Sequence, residues 1–376
     1  MYIKRTCEPT LFTSFERPYV SALLGPRRVG KTTIVNHYQQ LHPTRTWVAL
    51  NMDKLGQRQR IAKEELPLMI EEGARKPLGK EKIWVVVDEA QKCPELFEQI
   101  KIIYDEYKGN DKIKFILTGS AHLDLHNLTT ESLAGRVELL NLREFNLREI
   151  ACNAYPNDSI PSETAFDIIF NQVDDKLLQQ YYHTLRPFNK IFTNSLQTHL
   201  IWGGLPEVLQ ENAQEYRLKY LGDYLQTYLD KDVRAIESIS DLALYHNLMK
   251  ICAELTGSVR DDKKIIEALH CARNTLNKYR GYLQATLQYI EIYPYINSSL
   301  KRLVKSPKGY LTNNGLVSYF SGITDLSILN STGLIGHRFE NWFLNELLTW
   351  QASVPEHHET YYWRTATGLE VDFIVQ

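Results

Sequence analysis

Gly25-Pro26-Arg27-Arg28-Val29-Gly30-Lys31-Thr32 follows the apolar run Ser21-Ala22-Leu23-Leu24 and precedes the helix-compatible Thr33-Ile34-Val35-Asn36. This octet restricts the fold more than any other stretch. Gly25 and Gly30 let the backbone curl so that successive N–H groups and the positive end of the next helix converge on one point. Strand, tight loop and helix in that order open an α/β unit on a parallel sheet. The pattern G-x-x-x-x-G-K-[ST] is a phosphate cradle, the P-loop. Lys31 is expected to reach the β- and γ-phosphates, and Thr32 to offer its hydroxyl to Mg2+. The expected nucleotide-binding set is Gly25, Pro26, Arg27, Arg28, Val29, Gly30, Lys31, Thr32 and Thr33. Arg27 and Arg28 fit either extra phosphate contacts or solvent-facing loop positions.

From Val20 to about Ile150, short apolar runs alternate with amphipathic stretches. The runs Val20 to Leu24, Trp47 to Leu50, Ile83 to Val87 and Lys114 to Leu117 read as buried parallel strands. The third ends in Asp88-Glu89, which places two acids at the carboxyl edge of a sheet, where ligands bind in such folds. Asp88 is expected to hold the Mg2+ hydration shell with Thr32. Glu89 is expected to orient or deprotonate the water that attacks the γ-phosphoryl group. The fourth run enters Thr118-Gly119-Ser120, whose hydroxyls can reach the γ-phosphate or that water. Arg136 is a candidate for the cation that neutralises transition-state charge, within the chain or in a neighbour, although a structural role serves a lone Arg after Gly at least as well.

At 376 residues the chain calls for two or three domains. With 43% apolar residues, 23% charged residues and a formal net charge of -2, its composition disfavours disorder and a globally basic nucleic-acid binder. Cysteines 7, 93, 152, 252 and 271 form no C-x-x-C pair and have no His at ligand spacing, which argues against zinc and for reduced thiols. The N-terminus lacks the apolar run of a signal peptide and no stretch has the length of a membrane span. The expected location is the cytoplasm, with no membrane partner.

From about Pro156 to Ser240 the periodicity is helical, interrupted by Pro187 and Gly203-Gly204-Leu205-Pro206. From Gly257 to Gly309 there are ten Lys or Arg against four Asp or Glu, the mark of a polyanion-facing module. The tail reads as a helix over Phe339 to Trp350 and strands around Thr360 to Arg364 and Leu369 to Val375.

The residues named so far resemble those of bacterial and archaeal AAA-like P-loop ATPases that end in a restriction-endonuclease-like domain of unknown function. The resemblance covers nearly the whole chain. It rests on Gly25 to Thr32, Asp88-Glu89-Ala90-Gln91-Lys92-Cys93-Pro94-Glu95, Thr118-Gly119-Ser120, Leu133-Ala134-Gly135-Arg136 and Gly203-Gly204-Leu205-Pro206-Glu207. It continues through Lys231-Asp232-Val233, Arg273-Asn274-Thr275-Leu276 and Glu370-Val371-Asp372-Phe373-Ile374-Val375.

The resemblance implies an AAA-like core over 1–155, a helical lid over 156–240, a winged-helix domain over 241–330 and a partial nuclease-like region over 331–376. Within the third, Ala272 to Arg280 has the polar face of a recognition helix, for which DNA contact, protein docking and a solvated surface are competing roles. Within the fourth, the resemblance matches Glu340 and Asp372 to two carboxylates that share Mg2+. The chain stops four residues after Asp372, before any further strand with Glu-x-Lys, so a working nuclease site is not expected. Asn313-Asn314-Gly315 departs from the family's more frequent Asp before Asn-Gly.

The function expected from the sequence is an ATP- and Mg2+-dependent switch coupled to double-stranded DNA, a protein partner or further copies of the chain. The alternative is a nucleotide-gated binding module with little hydrolysis.

Overall fold

The computed structural model describes residues 2–108, 111–119, 132–154, 160–161, 163–171, 175–233, 239, 241–296, 305–354, 356–365 and 367–376. They fall into two compact units. One comprises residues 1–2 and 7–143, the other residues 3–6 and 144–376.

The first unit is an α/β fold. Its elements are α1 (Glu8–Glu16), β1 (Val20–Leu24), α2 (Lys31–Leu41), β2 (Thr46–Asn51), α3 (Leu55–Ile61), α4 (Leu66–Ala74), β3 (Ile83–Asp88), α5 (Glu95–Tyr107), β4 (Ile113–Thr118) and β5 (Val137–Asn141). The five described strands form a parallel sheet in the order β2-β3-β4-β1-β5. The strand residues are apolar without alternation because both faces are covered. Val85, Val87, Phe115 and Leu117 join one core with Phe97 and Ile100 of α5. On the alternate positions Trp84 meets the Tyr38 ring of α2, centroids 6.0 Å apart. The fifth strand, Val137–Asn141, was not among the runs expected from sequence.

β4 opens with a buried lysine. Lys114 Nζ donates to the carbonyls of Ser14 (3.3 Å), Arg17 (2.8 Å) and Tyr19, and to Ser21 Oγ (2.9 Å). One ammonium thus ties together the turn between α1 and β1, adding a donor to carbonyls of which Ser14 O also accepts the Arg17 backbone N–H at 3.2 Å.

The second unit begins with helices: α6 (Leu147–Ala154), α7 (Ala165–Asn171), α8 (Asp175–Leu185), α9 (Asn189–Trp202), α10 (Pro206–Gln210) and α11 (Gln214–Tyr228). There follow α12 (Leu242–Glu254), β6 (Ser258–Val259), α13 (Asp262–Leu269), α14 (Arg273–Ala285), β7 (Tyr289–Pro294) and β8 (Lys308–Leu311). The chain ends with α15 (Asn314–Ser321), α16 (Leu326–Ser331), α17 (Ile335–Gln351), β9 (Thr360–Arg364) and β10 (Glu370–Val375). The strands form one sheet in the order β10-β9-β7-β8-β6, antiparallel except for the β9–β7 pair. Ile292, Tyr310, Leu344 and Tyr362 close a core between this sheet and α17.

Helix starts follow side-chain chemistry. Asp241, Asp261, Asn313 and Asp325 accept backbone N–H bonds at the first turns of α12, α13, α15 and α16, the caps that orphan donors require. The departure at Asn313 is explained here. Its Oδ1 caps α15 through Leu316 N (2.8 Å) while its Nδ2 donates to the Glu144 carboxylate. An Asp at 313 would set carboxylate against carboxylate. Gly203 and Gly204 lie against the same group: a side chain on Gly203 would strike the Asn313 amide, and one on Gly204 the Phe145 carbonyl.

Candidate functional site

Parallel register decides what gathers at the carboxyl edge of the first sheet. Leu23 lies opposite Thr118, Val87 opposite Leu117, and Asn51 opposite Asp88. The loop after β1, the acids after β3 and the threonine ending β4 therefore emerge side by side.

Gly25 is required by space, since a Cβ there would fall on the Leu142 carbonyl. Gly30 (φ 98°) caps α2 in a left-handed conformation that favours glycine, and Arg28 adopts φ 60° two residues earlier. Such alternation turns successive N–H groups inward. Lys31 is buried and folds back on its own loop, donating to Gly25 O (2.8 Å) and Pro26 O (2.7 Å). Thr32 and Thr33 are exposed at the first turn of α2, Arg27 is half-buried and Arg28 exposed. Val29 has its side chain in the core, so only its backbone faces outward chemistry.

Asp88 is the meeting point. Thr32 Oγ1 lies 3.3 Å from both carboxylate oxygens, the buried Thr118 hydroxyl donates to Oδ1, and Glu89 N donates to Oδ1 at 3.1 Å. This all-oxygen set fits a hard cation such as Mg2+. Thr32 and Asp88 are the residues that would hold it, and its chemistry would be charge neutralisation on phosphate. Glu89 stands at φ 54°, a strained left-handed position for a residue with a Cβ. Its Oε2 accepts from Gln91 Nε2 at 2.6 Å and lies 3.8 Å from Lys92 Nζ, which also pairs with Asp53. Gln91 and Lys92 were inside a quoted motif, but their hold on Glu89 was not read from it. The 3-10 turn Ala90–Lys92 brings them back toward the acid. Ser120 lies outside the described residues.

The structure does not bring Arg136 to this site. It immediately precedes β5, and its carbonyl receives Val20 N, the first residue of β1. The loop lies at the other end of β1, about 16 Å along a five-residue strand. The Arg136 guanidinium instead grips Asp105 with two bonds, 2.7 and 2.8 Å.

The carboxylates expected to share a metal are already held by a cation. Lys308 Nζ lies 2.8 Å from Glu340, 3.0 Å from Asp372 and in contact with Glu370. Tyr310 donates to Glu340 Oε1 at 2.5 Å. Burial alone would depress the Lys308 ammonium, yet the three acids hold its pKa above the ordinary lysine value. Glu340 and Asp372 do not fit a shared Mg2+ while an ammonium lies between them.

The basic excess is also partly internal. Arg260 and Arg280 both pair with Asp262 and Glu291, and Arg280 is buried. Arg280 therefore leaves the outward face of α14, on which Arg273, Asn274, Asn277 and Lys278 remain exposed.

Among the described residues, no helix is long and apolar enough to cross a membrane, and no group of three or more His, Cys, Asp or Glu is placed to hold a metal.

Three family descriptions match the chain. Residues 17–151 match an AAA domain, residues 193–327 a domain of unknown function (DUF8612), and residues 335–376 another (DUF4143). Two curated relatives, the uncharacterized proteins Mb2031c of Mycobacterium bovis and Rv2008c of Mycobacterium tuberculosis, are each 26% identical over 263 residues, 70% of this chain. The match spans 49% of the relatives' length, about half. Among solved structures, the Aeropyrum pernix ORC2 protein in its ADP form is similar at 10% identity and TM-score 0.38, over 86% of this chain and 94% of that one. The Aeropyrum pernix ORC1 protein in complex with DNA is similar at 13% identity and TM-score 0.31, over 88% and 95%. Residues 17–151, with their phosphate loop and parallel sheet, match an AAA domain and have the fold of a P-loop NTPase.

Proposed function

We propose that the chain binds ATP with Mg2+ at the carboxyl edge of the first sheet, hydrolyses it, and passes its nucleotide state to DNA or a protein partner. The carrying observation is Asp88, joined to Thr32 and Thr118 beside a buried Lys31. In this reading Lys31 exchanges its two loop carbonyls for phosphate oxygens. Glu89 orients or deprotonates the attacking water, and the hydroxyls of Thr118 and Ser120 reach the γ-phosphate or that water. Arg136, far from its own chain's loop, serves a neighbouring copy if it serves catalysis at all.

The proposed parts are a core over 1–155, a helical lid over 156–240, a winged-helix domain over 241–330 and a partial nuclease-like region over 331–376. The order α12, β6, α13, α14, β7, β8, with β8 paired antiparallel to both β6 and β7, supports the winged-helix reading. The exposed Arg273 and Lys278 of α14 support contact with DNA. A cytoplasmic setting fits five cysteines that form no disulfide.

A second reading is favoured by one observation. Glu89 is bonded to Gln91, and a base so engaged turns over slowly, leaving a nucleotide-gated module with little hydrolysis.

One assay separates the two. Mg2+-dependent ATP hydrolysis by the whole chain is measured with and without double-stranded DNA, beside Glu89→Gln and Lys31→Ala. The switch reading requires turnover that falls at least about 100-fold in Glu89→Gln with ATP binding kept, and lost binding in Lys31→Ala. Tight ATP binding without turnover selects the gated module. Normal turnover in Glu89→Gln refutes the choice of base.

A further inference from the structure

In the second unit, away from any residue assigned above, α6, α7, α8, α9 and α17 enclose a cavity of about 360 Å³, within the range of small-molecule sites. Seven of its seventeen lining residues are aromatic, Phe166, Tyr181, Phe343 and Trp350 among them. Phe166 packs edge-on against Phe343 and tilted against Trp350, centroids 5.6 and 5.7 Å apart. Three charge-bearing side chains line the same space: Arg148, Arg186 and Glu346.

Glu346 is placed as a receptor group is placed. Its Oε1 accepts from Leu147 N (2.7 Å) and Trp342 Nε1 (3.0 Å). Its Oε2 has no hydrogen-bond partner among the described residues, and the residue lines the cavity. Arg148 is anchored by Nε to the Pro161 carbonyl (2.7 Å) and by one terminal nitrogen, at 3.5 Å, to that of Ile160. No carboxylate among the described residues pairs with Arg148 or Arg186. The lining residues thus carry two guanidinium groups against one carboxyl, with the Asp167 carboxylate behind the wall, where it accepts from Trp350 Nε1 at 2.8 Å.

We infer that this cavity binds a small organic anion, a carboxylate on an aromatic body, with the anion held by Arg148 and the ring among the aromatic walls. Arg186, exposed at the mouth, adds positive charge. Glu346 completes the site by donating a hydrogen bond from Oε2 to the ligand.

The protonation of Glu346 agrees with this assignment. Burial, reinforced by the negative charges of Glu149 and Glu144 and opposed by the two N–H donors, pushes its pKa up to about 8. Glu149 is itself salt-bridged to Arg5. The titratable and charged groups that line the same cavity from other elements are Arg148 on α6, Tyr181 and Tyr182 on α8 and Arg186 after it, with Asp167 and Glu163 close enough to act on Tyr181. Near neutrality the proton therefore resides on the carboxyl, and since Oε1 takes both N–H bonds, Oε2 carries it. Above about pH 8 the site gains a negative charge beside the ligand.

The test is calorimetry of the whole chain with three probes of one shape: 3-phenylpropanoate, 3-phenylpropanamide and 3-phenylpropylamine. The propanoate is expected to bind at least about tenfold more tightly than the amide, the worth of a charge-assisted contact. Arg148→Gln should remove that preference. Propanoate binding should weaken as pH rises past about 8, and Glu346→Gln should abolish that pH dependence while keeping the ligand. Ala165→Trp, at an exposed position lining the cavity, should block binding without touching the core, which covers a folding failure of Arg148→Gln. The proposal is overturned if the amine binds as tightly as the propanoate, if none of the three binds up to about 5 mM, or if propanoate binding survives unchanged in Arg148→Gln or Ala165→Trp.

Discussion

Single residues in this chain do work that their type would not announce. Lys114 looks like an interruption of an apolar strand, yet its ammonium satisfies three carbonyls and a hydroxyl at the α1–β1 turn. Lys114→Met keeps the volume and removes every donor. It is expected to lower stability by about 3 kcal/mol, the cost of leaving several buried carbonyls unpaired, as read by urea denaturation. Glu346 acts in the opposite direction. Its folded pKa of about 8 exceeds the ordinary glutamate value, so between about pH 4.5 and 8 the folded state binds more protons than the unfolded one. Stability therefore falls as pH rises through that window, and Glu346→Gln should flatten the decline. A wild-type profile already flat from pH 5 to 8 would show that Glu346 is ionised throughout. The residues proposed to hold the nucleotide were the most legible, because a phosphate loop needs its lysine and threonine directly after a glycine at fixed spacing from the first. The hold of Gln91 on Glu89 was not, since it depends on a left-handed turn that no short pattern declares.

Elements were legible where a run of apolar residues persists, as it does in β4 after Lys114, and lost where charge interrupts a shorter run. β1 through β4 stood out from their runs of Val, Ile, Leu and Phe. β5 did not, because Glu138 sits at its second position; that carboxylate is met by Ser14 and Arg17. β7 and β8 were hidden in the same way by Glu291 and Lys308, whose partners lie on other elements. Charges that read as a solvated, polyanion-facing surface are partly a buried pairing scheme, which is why the basic count from Gly257 to Gly309 overstated the outward charge. Lys308 makes the point testable. Lys308→Met would leave Glu340, Glu370 and Asp372 facing one another without a cation, costing about 3 to 5 kcal/mol. If the ammonium stands where a metal otherwise would, millimolar Mn2+ should restore several degrees of the variant's melting temperature, by mass action on the folded state. The wild type should not respond. Equal responses of both proteins would place the ion elsewhere.

At the scale of the molecule, two compact units with separate cores predict two thermal transitions rather than one. ATP with Mg2+ at about 100 times its dissociation constant stabilises the unit that binds it by about 2.7 kcal/mol, which should raise that transition by several degrees. Lys31→Ala should abolish the rise, identifying the transition with the first unit. The second transition then judges the switch. A nucleotide bound in the first unit influences the second through a coupling free energy, typically about 1 to 3 kcal/mol. That coupling should appear in calorimetry as a smaller shift of the second transition, present in the wild type and absent in Lys31→Ala. If the first transition moves and the second does not, ATP is bound without being reported. The chain would then be a nucleotide-binding protein whose second unit acts independently.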